Sequence, residues 1–120
     1  MDMSQKPYIL LEDVRSHVAV PESSILSRTL QNDERTKVIL FSFAPGQELS
    51  AHTAPFPAML YFAQGKAALK LGGDLLEAQE GTFVYMTPNL EHGIKAETAI
   101  TVLLIMVKNA PAGVPAQPAH

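Results

Sequence analysis

Two histidines, His52 and His92, are the residues of this chain whose type and spacing are best suited to chemistry. An imidazole can bind a metal ion, form hydrogen bonds through either nitrogen, or act as a base near neutral pH. His52 follows Gly46 by six residues, and His92 follows Gly81 by eleven. The chain has no cysteine, which excludes disulfides, thiolate metal sites and a cysteine nucleophile. A reactive site would therefore depend on imidazole and oxygen groups.

Short strands separated by turns must position these histidines. Alternating, β-branched and aromatic segments predict strands over residues 24–30, 36–43, 57–64, 66–71, 75–78, 82–86, 92–96 and 100–107. Pro45-Gly46 fits the centre of a type II turn, and Gly72-Gly73-Asp74 is typical of a hairpin turn. No segment of helical length shows a convincing helical period. Eight or nine short strands in one small chain predict an all-β sandwich or barrel.

The segments around the histidines resemble the two motifs of the cupin superfamily. The first cupin motif is G-x5-H-x-H-x3/4-E-x6-G, and the second is G-x5-P-x-G-x2-H-x3-N. Residues 46–65 have the length and the glycines of the first motif, and residues 81–96 have the length of the second. The chain looks most like the small, single-domain bacterial cupins of the conserved-barrel type. The resemblance implies a cupin double-stranded β-helix (jelly-roll) barrel, which we place at residues 21–108.

The first motif lacks two of the groups that hold the metal in cupins. The family's metal is usually bound by two histidines and one glutamate of the first motif and by one histidine of the second. Here Ala54 stands at the second histidine position and Ala58 at the glutamate position. Only His52 and His92 match metal-ligand positions, and a catalytic metal commonly takes three protein ligands. We therefore predict a degenerate site, whose cofactor would be at most a weakly held divalent ion (Zn, Mn, Fe or Ni).

Two glutamates lie near these histidines in the sequence. Glu48 is expected to share the strand face of His52, because alternate residues of a strand point the same way, but it lies early in the strand, near the rim. Glu91 adjoins His92 and is expected to point to the opposite face. Neither glutamate makes a convincing third ligand, and a second subunit is an alternative source of one.

The second motif departs from the family pattern at its turn. Its proline is displaced by one position to Pro88, Asn89 replaces the glycine, and Ala96 replaces the final asparagine. Asparagine tolerates positive φ angles better than most residues, so we expect Asn89 to serve as the glycine does.

Strand alternation predicts the side chains that line the barrel cavity. The predicted ligand pocket consists of His52, Ala54, Ala58, Leu60, Phe62, Met86, His92, Leu104 and Met106. Alanine at two ligand positions removes polar groups and leaves apolar space, which suits a small, partly apolar ligand.

Four functions are compatible with these residues. The preferred hypothesis is a cupin that binds a small, partly apolar molecule in its cavity. The alternative is a metal-dependent cupin enzyme (a dioxygenase, isomerase or lyase) that uses His52 and His92 with an unidentified third ligand. A metal-free catalyst with one histidine as general base and a purely structural domain are the other two. The catalytic residues, and whether the protein is an enzyme at all, stay unassigned.

Composition limits the partners and the location. The chain has 120 residues, a net charge of −3, and nine lysines and arginines without a run, so a nucleic acid is not the expected main partner. Three of these cations, Arg28, Arg35 and Lys37, flank a hairpin and could hold an anion, with a solvated rim as the default interpretation. The longest apolar stretch, residues 99–107, is far shorter than the roughly 20 residues that span a membrane. With no signal peptide pattern at the N-terminus, we predict a cytoplasmic protein.

The ends of the chain are less regular than its middle. Residues 1–20 are predicted to form an N-terminal arm or an edge strand, on this barrel or on a second subunit. The proline- and alanine-rich residues 109–120 are predicted to form a flexible tail. Because exposed strand edges are a liability that pairing removes, we predict a homodimer.

Overall fold

A computed structural model describes residues 6–108 of the chain. These residues form a short 3₁₀ helix at Val14–Ser16 and nine strands. The strands are β1 (Ile25–Asn32), β2 (Thr36–Phe43), β3 (Glu48–His52), β4 (Ala58–Gln64), β5 (Ala67–Leu71), β6 (Asp74–Ala78), β7 (Phe83–Met86), β8 (His92–Ala96) and β9 (Ile100–Val107). They build a five-stranded antiparallel sheet, β1-β2-β9-β4-β7, and a four-stranded antiparallel sheet, β3-β8-β5-β6. This confirms the predicted all-β jelly-roll barrel.

The observed strands match the predicted segments to within two residues, except at β3. Four of the five β3 residues are exposed, so this strand carries too little hydrophobic pattern to stand out. The predicted turns are confirmed as well. Gly46 has a φ of 82° at the turn between β2 and β3, and Gly72 has a φ of 59° within the hairpin that joins β5 to β6. A residue with a side chain adopts such angles only at a cost.

One end of the barrel carries both His52 and His92. Strands β2 and β3, which are consecutive, belong to opposite sheets, as do β4 and β5, β6 and β7, and β8 and β9. Strands β2, β4 and β8 begin at one end of the barrel, and strands β3, β7 and β9 finish there. We call this end the mouth. The cross-strand pairs Thr36–Val107, Ala58–Met86 and His52–His92 all lie at this end.

The opposite end of the barrel is closed by packed side chains. Phe43, Phe62 and Val102 are fully buried there, in one core cluster with residues of both sheets. Gly65 lies so close to the carbonyl of Ala99 that a Cβ at this position would overlap it. Toward the mouth, Leu104 is only partly buried. Ala58 and Met86, also at the mouth end, are buried at 4% and 1% exposure.

The N-terminal segment lies on the outer face of the five-stranded sheet of its own barrel. Leu40 of β2 pairs with Leu103 on this outer face, yet it has no exposed surface. Residues 6–11 and neighbouring apolar side chains, Leu103 among them, line a groove of about 640 Å³ there. Residues 6–24 contain no strand, and the tail predicted for residues 109–120 lies outside the described part of the chain. No helix within residues 6–108 is long and apolar enough to cross a membrane.

Candidate functional site

The two histidines singled out by the sequence lie side by side at the mouth. His52 ends β3 and His92 begins β8, and the two residues are direct cross-strand partners. Their ring centroids are 4.4 Å apart, with the ring planes tilted by 55°. His92 is buried with 9% exposure, whereas His52 is exposed. The pair therefore presents two imidazoles to one small volume, one of them shielded from water.

Hydrogen bonds to the backbone orient both rings in the same way. The Nδ1 atom of His52 is 3.0 Å from the carbonyl oxygen of Ser50, and the Nδ1 atom of His92 is 2.8 Å from that of Leu90. Because a carbonyl oxygen only accepts hydrogen bonds, Nδ1 of each ring must carry the proton and donate it. In the neutral rings, both Nε2 atoms are then left as free acceptors. Such an orienting bond is the arrangement seen in histidines that bind ligands or metals.

A β-bulge in β3 brings His52 to the inner face. Leu49 pairs with Ile94 and His52 pairs with His92, so the β3 strand has one more residue between these pairs than β8. The bulged segment of β3 packs closely on Gly93 of β8. A Cβ added to Gly93 would lie 3.1 Å from the backbone nitrogen of Ala51 and 3.2 Å from the Cα of Ala51. The bulge places Leu49 and His52, three residues apart, on the same face, which simple alternation forbids.

The bulge also shows that the prediction for Glu48 was wrong. Glu48 pairs with Lys95, and both are exposed, while their neighbours Leu49 and Ile94 face the core. Glu48 therefore points outward, away from His52, because the bulge between them reverses the alternation. Glu91 points away from the site, as expected, and its carboxylate lies 3.1 Å from the ammonium group of Lys70.

The donor set at the mouth does not fit a tightly held catalytic metal ion. No group of three or more histidine, cysteine, aspartate or glutamate residues that could hold a metal occurs in the part of the chain that the structure describes. Ala58, at the position of the expected glutamate, is 4% exposed and lies between two methionines. Two imidazoles fall short of the three protein ligands common at catalytic metal sites. No reaction step is therefore assigned to a metal.

The predicted apolar lining lies on the five-stranded sheet, in rows that run inward from the mouth. The first row is Met86, Ala58 and Met106, which are adjacent cross-strand partners. The second row contains Leu60 and Leu104, and the third contains Phe62, which is fully buried at the closed end. The first two rows are the part of this wall nearest to the mouth.

The loops of the two motifs contact each other beside this wall. The backbone N–H of Asn89 donates to the carbonyl of Ala54 at 2.8 Å. Asn89 has a φ of 68°, which confirms that it takes the backbone conformation expected of the family's glycine. Ala54, which is half-buried, lies in the loop that connects His52 to β4. This bond couples the loop after one histidine to the loop before the other.

Lys37, which the sequence alone indicated as part of a solvated rim, lies at the mouth. Lys37 pairs with Met106 in the first row and is only partly exposed. Arg28, in contrast, is exposed and donates to the carbonyl of His17 at 3.1 Å. The alternation of Lys37 with Ile39, Phe41 and Phe43 was the signal that predicts an inward direction.

Comparisons with known proteins agree with this architecture. The sequence profile of the cupin domain matches residues 39–108. The chain is similar to the crystal structure of a conserved protein of unknown function, SPY1581, from Streptococcus pyogenes. That likeness has 27% identity and a TM-score of 0.78 over 89% of this chain and 92% of the other. A cupin superfamily protein from Desulfitobacterium hafniense (DSY2733) has 20% identity and a TM-score of 0.77, over 86% and 93% of the two chains.

A third similar structure is a Cupin 2 conserved barrel domain protein from Leptotrichia buccalis, with 26% identity and a TM-score of 0.75. The likeness covers 78% of this chain and 46% of that protein. Among curated proteins, none matches this chain in sequence. The matched residues include both histidine segments and eight of the nine strands, at least in part. The chain therefore belongs to the cupin domain family.

Proposed function

We propose that this cupin binds a small, partly apolar molecule at the mouth of its barrel. The observation that carries the proposal is the adjacent pair His52 and His92, whose Nδ1 atoms are both engaged by backbone carbonyls. The two Nε2 atoms are thereby available as hydrogen-bond acceptors for a bound molecule. A ligand would orient its polar group toward these two rings.

The opposite wall supports an apolar body for this ligand. Met86, Ala58 and Met106 form the first row of the facing sheet, with Leu60 and Leu104 behind them. Methionine side chains adapt their shape to what they contact, and Ala58 at the centre of the row adds little bulk. A pocket with an apolar wall and a few convergent polar groups is the usual form of a small-molecule site.

Binding at the histidine pair can be tested by NMR titration of the full chain with benzyl alcohol, which has an apolar ring and one hydroxyl group. We expect saturable shifts at the backbone amides of Gly93 and Ile94, which follow His92 in β8. The double variant His52→Ala, His92→Ala should lose these shifts. The variant His17→Ala, whose histidine lies outside the barrel strands, is the control and should keep them. Unchanged binding in the double variant would refute the proposed site.

A metal-dependent enzyme is the second candidate, and the orientation of the two rings favours it. Imidazoles that bind metals commonly donate their other N–H to a carbonyl, as both histidines do here. The available metal ligands argue against this candidate. Within residues 6–108 they are two imidazoles, with no third ligand of the usual types beside them. A bound divalent ion (Zn, Mn, Fe or Ni) would then have to take its other ligands from outside this set.

We also propose that the protein is a cytoplasmic homodimer. The outer face of β4 and β7 exposes three aromatic side chains, Tyr61 at 40%, Phe83 at 59% and Tyr85 at 58%. Tyr61 and Phe83 are direct cross-strand partners, and β7 is the edge of its sheet. Contiguous exposed apolar surface of this kind is typical of protein interfaces. Light scattering coupled to size exclusion should give twice the chain mass, and Phe83→Glu should reduce it to one.

A further inference from the structure

Lys37 occupies an inner position at the mouth. Along β2, Ile39 pairs with Leu104, and Phe41 pairs with Val102 in the core. Because alternate residues of a strand share a face, Lys37 starts on this same inner face. It is the cross-strand partner of Met106, which in turn pairs with Ala58. Lys37 therefore extends the first row of the proposed ligand wall.

The ammonium group of Lys37 has no anionic partner within the described residues. The ion pairs within residues 6–108 join Arg15 to Asp13 and Lys70 to Glu91. The nearby Lys108, by comparison, donates to the Oδ1 atom of Asn32 at 2.7 Å. An anion bound beside Lys37 would supply the counter-charge that the described residues do not.

Lys37 and His52 lie on facing strands at the same end of the barrel. Lys37 is the second residue of β2 and His52 is the last residue of β3, and a short turn joins these two strands of opposite sheets. Facing sheets pack about 10 Å apart, a gap that a lysine from one side and an imidazole from the other can bridge with a small molecule between them. One ligand can thus contact the ammonium group and the histidine pair together.

Two acidic groups near the mouth have partners of their own. Asp33 accepts hydrogen bonds from the backbone N–H groups of Arg35 and Thr36, both at 2.8 Å. Glu91 pairs with Lys70. The inner rows at the mouth hold methionines, alanine and leucines, which carry no charge. Lys37 is therefore the charged group that a ligand would meet along these inner rows.

From these positions we infer that the ligand is a small hydroxycarboxylic acid with an apolar body. Its carboxylate accepts hydrogen bonds from the Lys37 ammonium group, and its hydroxyl group donates to a neutral Nε2 atom of the His52–His92 pair. The Nε2 atoms at the mouth can accept a hydrogen bond from the hydroxyl group of the ligand, and the Lys37 ammonium group can donate to its carboxylate. This inference rests on the proposed function, because it assigns a chemical class to the molecule bound at the same site.

Matched ligands test the chemical class. The probes are mandelate, its neutral amide mandelamide, and phenylacetate, which lacks the hydroxyl group, with lactate, lactamide and propionate as a smaller set. Titrations of the full chain follow the amides of Lys37 and Gly93. In at least one of the two sets, we expect the affinity for the hydroxy acid to exceed the affinities for its amide and for the acid without a hydroxyl group by about tenfold. Hydrogen bonds to a charged group account for a difference of this size.

Variants of Lys37 test its role. Lys37→Met keeps the apolar stem but removes the charge, and should weaken hydroxy acid binding about tenfold. Lys37→Arg should restore most of the affinity. Lys95→Met, on the outer face of β8, is the control and should bind as the unmodified chain does. An unfolding midpoint for each variant identifies any that fail to fold.

The outcomes separate the two proposals. Equal binding of acids and amides at the histidine pair, or full hydroxy acid binding by Lys37→Met, would overturn the assignment of the ligand class and leave the proposed function intact. Binding of none of these probes, benzyl alcohol included, would contradict both.

Discussion

Gly93 and Ala51 are in backbone contact across β8 and β3: a Cβ at Gly93 would lie 3.1 Å from the nitrogen of Ala51. This contact lies at the bulge in β3 and allows the bulge to pack against β8, which brings His52 beside His92. The residue after one histidine thereby controls the direction of the other. The arrangement of the pair depends on this close approach as much as on the histidines themselves.

Gly93→Ala should therefore displace the bulge. We expect a loss of about 1–3 kcal/mol in the free energy of unfolding, because a methyl group must be forced into a filled space. Binding of benzyl alcohol should weaken at the same time. Gly73→Ala is the control, since a Cβ at Gly73 has no atom within 4 Å, and it should change stability by less than about 0.5 kcal/mol. Equal effects of the two substitutions would contradict the role given to the bulge.

The two imidazoles should share one tautomer. Because Nδ1 donates to a carbonyl in both His52 and His92, we expect the Nδ1–H tautomer in each neutral ring. Two-bond proton–nitrogen NMR correlations identify the protonated nitrogen directly. The same spectrum in concentrated urea, where these bonds are broken, serves as the control. Finding the Nε2–H form in either folded ring would mean that its Nε2 atom is not the free acceptor.

Asn89 should tolerate glycine but not alanine. Its φ of 68° lies in the left-handed region, and its N–H must still reach Ala54. Asn89→Ala should lower the free energy of unfolding by about 1 kcal/mol, because a Cβ without a local hydrogen-bonding group disfavours this conformation. Asn89→Gly should be neutral within about 0.5 kcal/mol. Urea unfolding compares the two, and an alanine variant as stable as the glycine variant would argue against a strained turn.

The hairpin next to Lys37 should keep its structure down to acidic pH. Hydrogen bonds from the backbone N–H groups of Thr36 and Arg35 lower the pKa of Asp33 from 3.8 to about 2. A carboxyl group with a lowered pKa in the folded state stabilises the fold above its unfolded pKa, and this contribution is lost as the pH falls toward 2. The amide shifts of Arg35 and Thr36 should titrate with a midpoint near 2 and stop titrating in Asp33→Asn. A midpoint near 3.8 would show that these bonds do not form in solution.

Local sequence patterns were sufficient for most of the fold. The β-branched and aromatic run of residues 36–43 predicted the bounds of β2, and the glycine at position 46 predicted the turn after it. The strand and the turn depend on residues close together in the chain, which is why the sequence alone indicates them. That His52 and His92 share a site was implied by the resemblance to the cupin motifs, and the two rings are adjacent.

The features that the sequence did not predict depend on contacts between strands. The direction of Glu48 is set by a bulge against β8, so alternation within β3 alone gives the wrong face. Leu40 is buried because other parts of the chain pack on the outer face of its sheet. Lys37 was interpreted as part of a solvated rim because it flanks a hairpin, although its strand position places it on the inner face. For Glu48 and Leu40 the tertiary contact determines the environment of the residue, whereas alternation along β2 already indicates the direction of Lys37.

The central claim is that His52 and His92 form a site for an organic molecule and not for a tightly bound metal. Elemental mass spectrometry of untagged protein, before and after incubation with Fe, Mn, Ni and Zn, tests this most directly beside the double variant His52→Ala, His92→Ala. We predict far less than one metal ion per chain in both proteins, and benzyl alcohol binding that a chelator does not change. Near-stoichiometric metal in the unmodified chain that the double variant loses would contradict the account and would favour the metal-dependent enzyme.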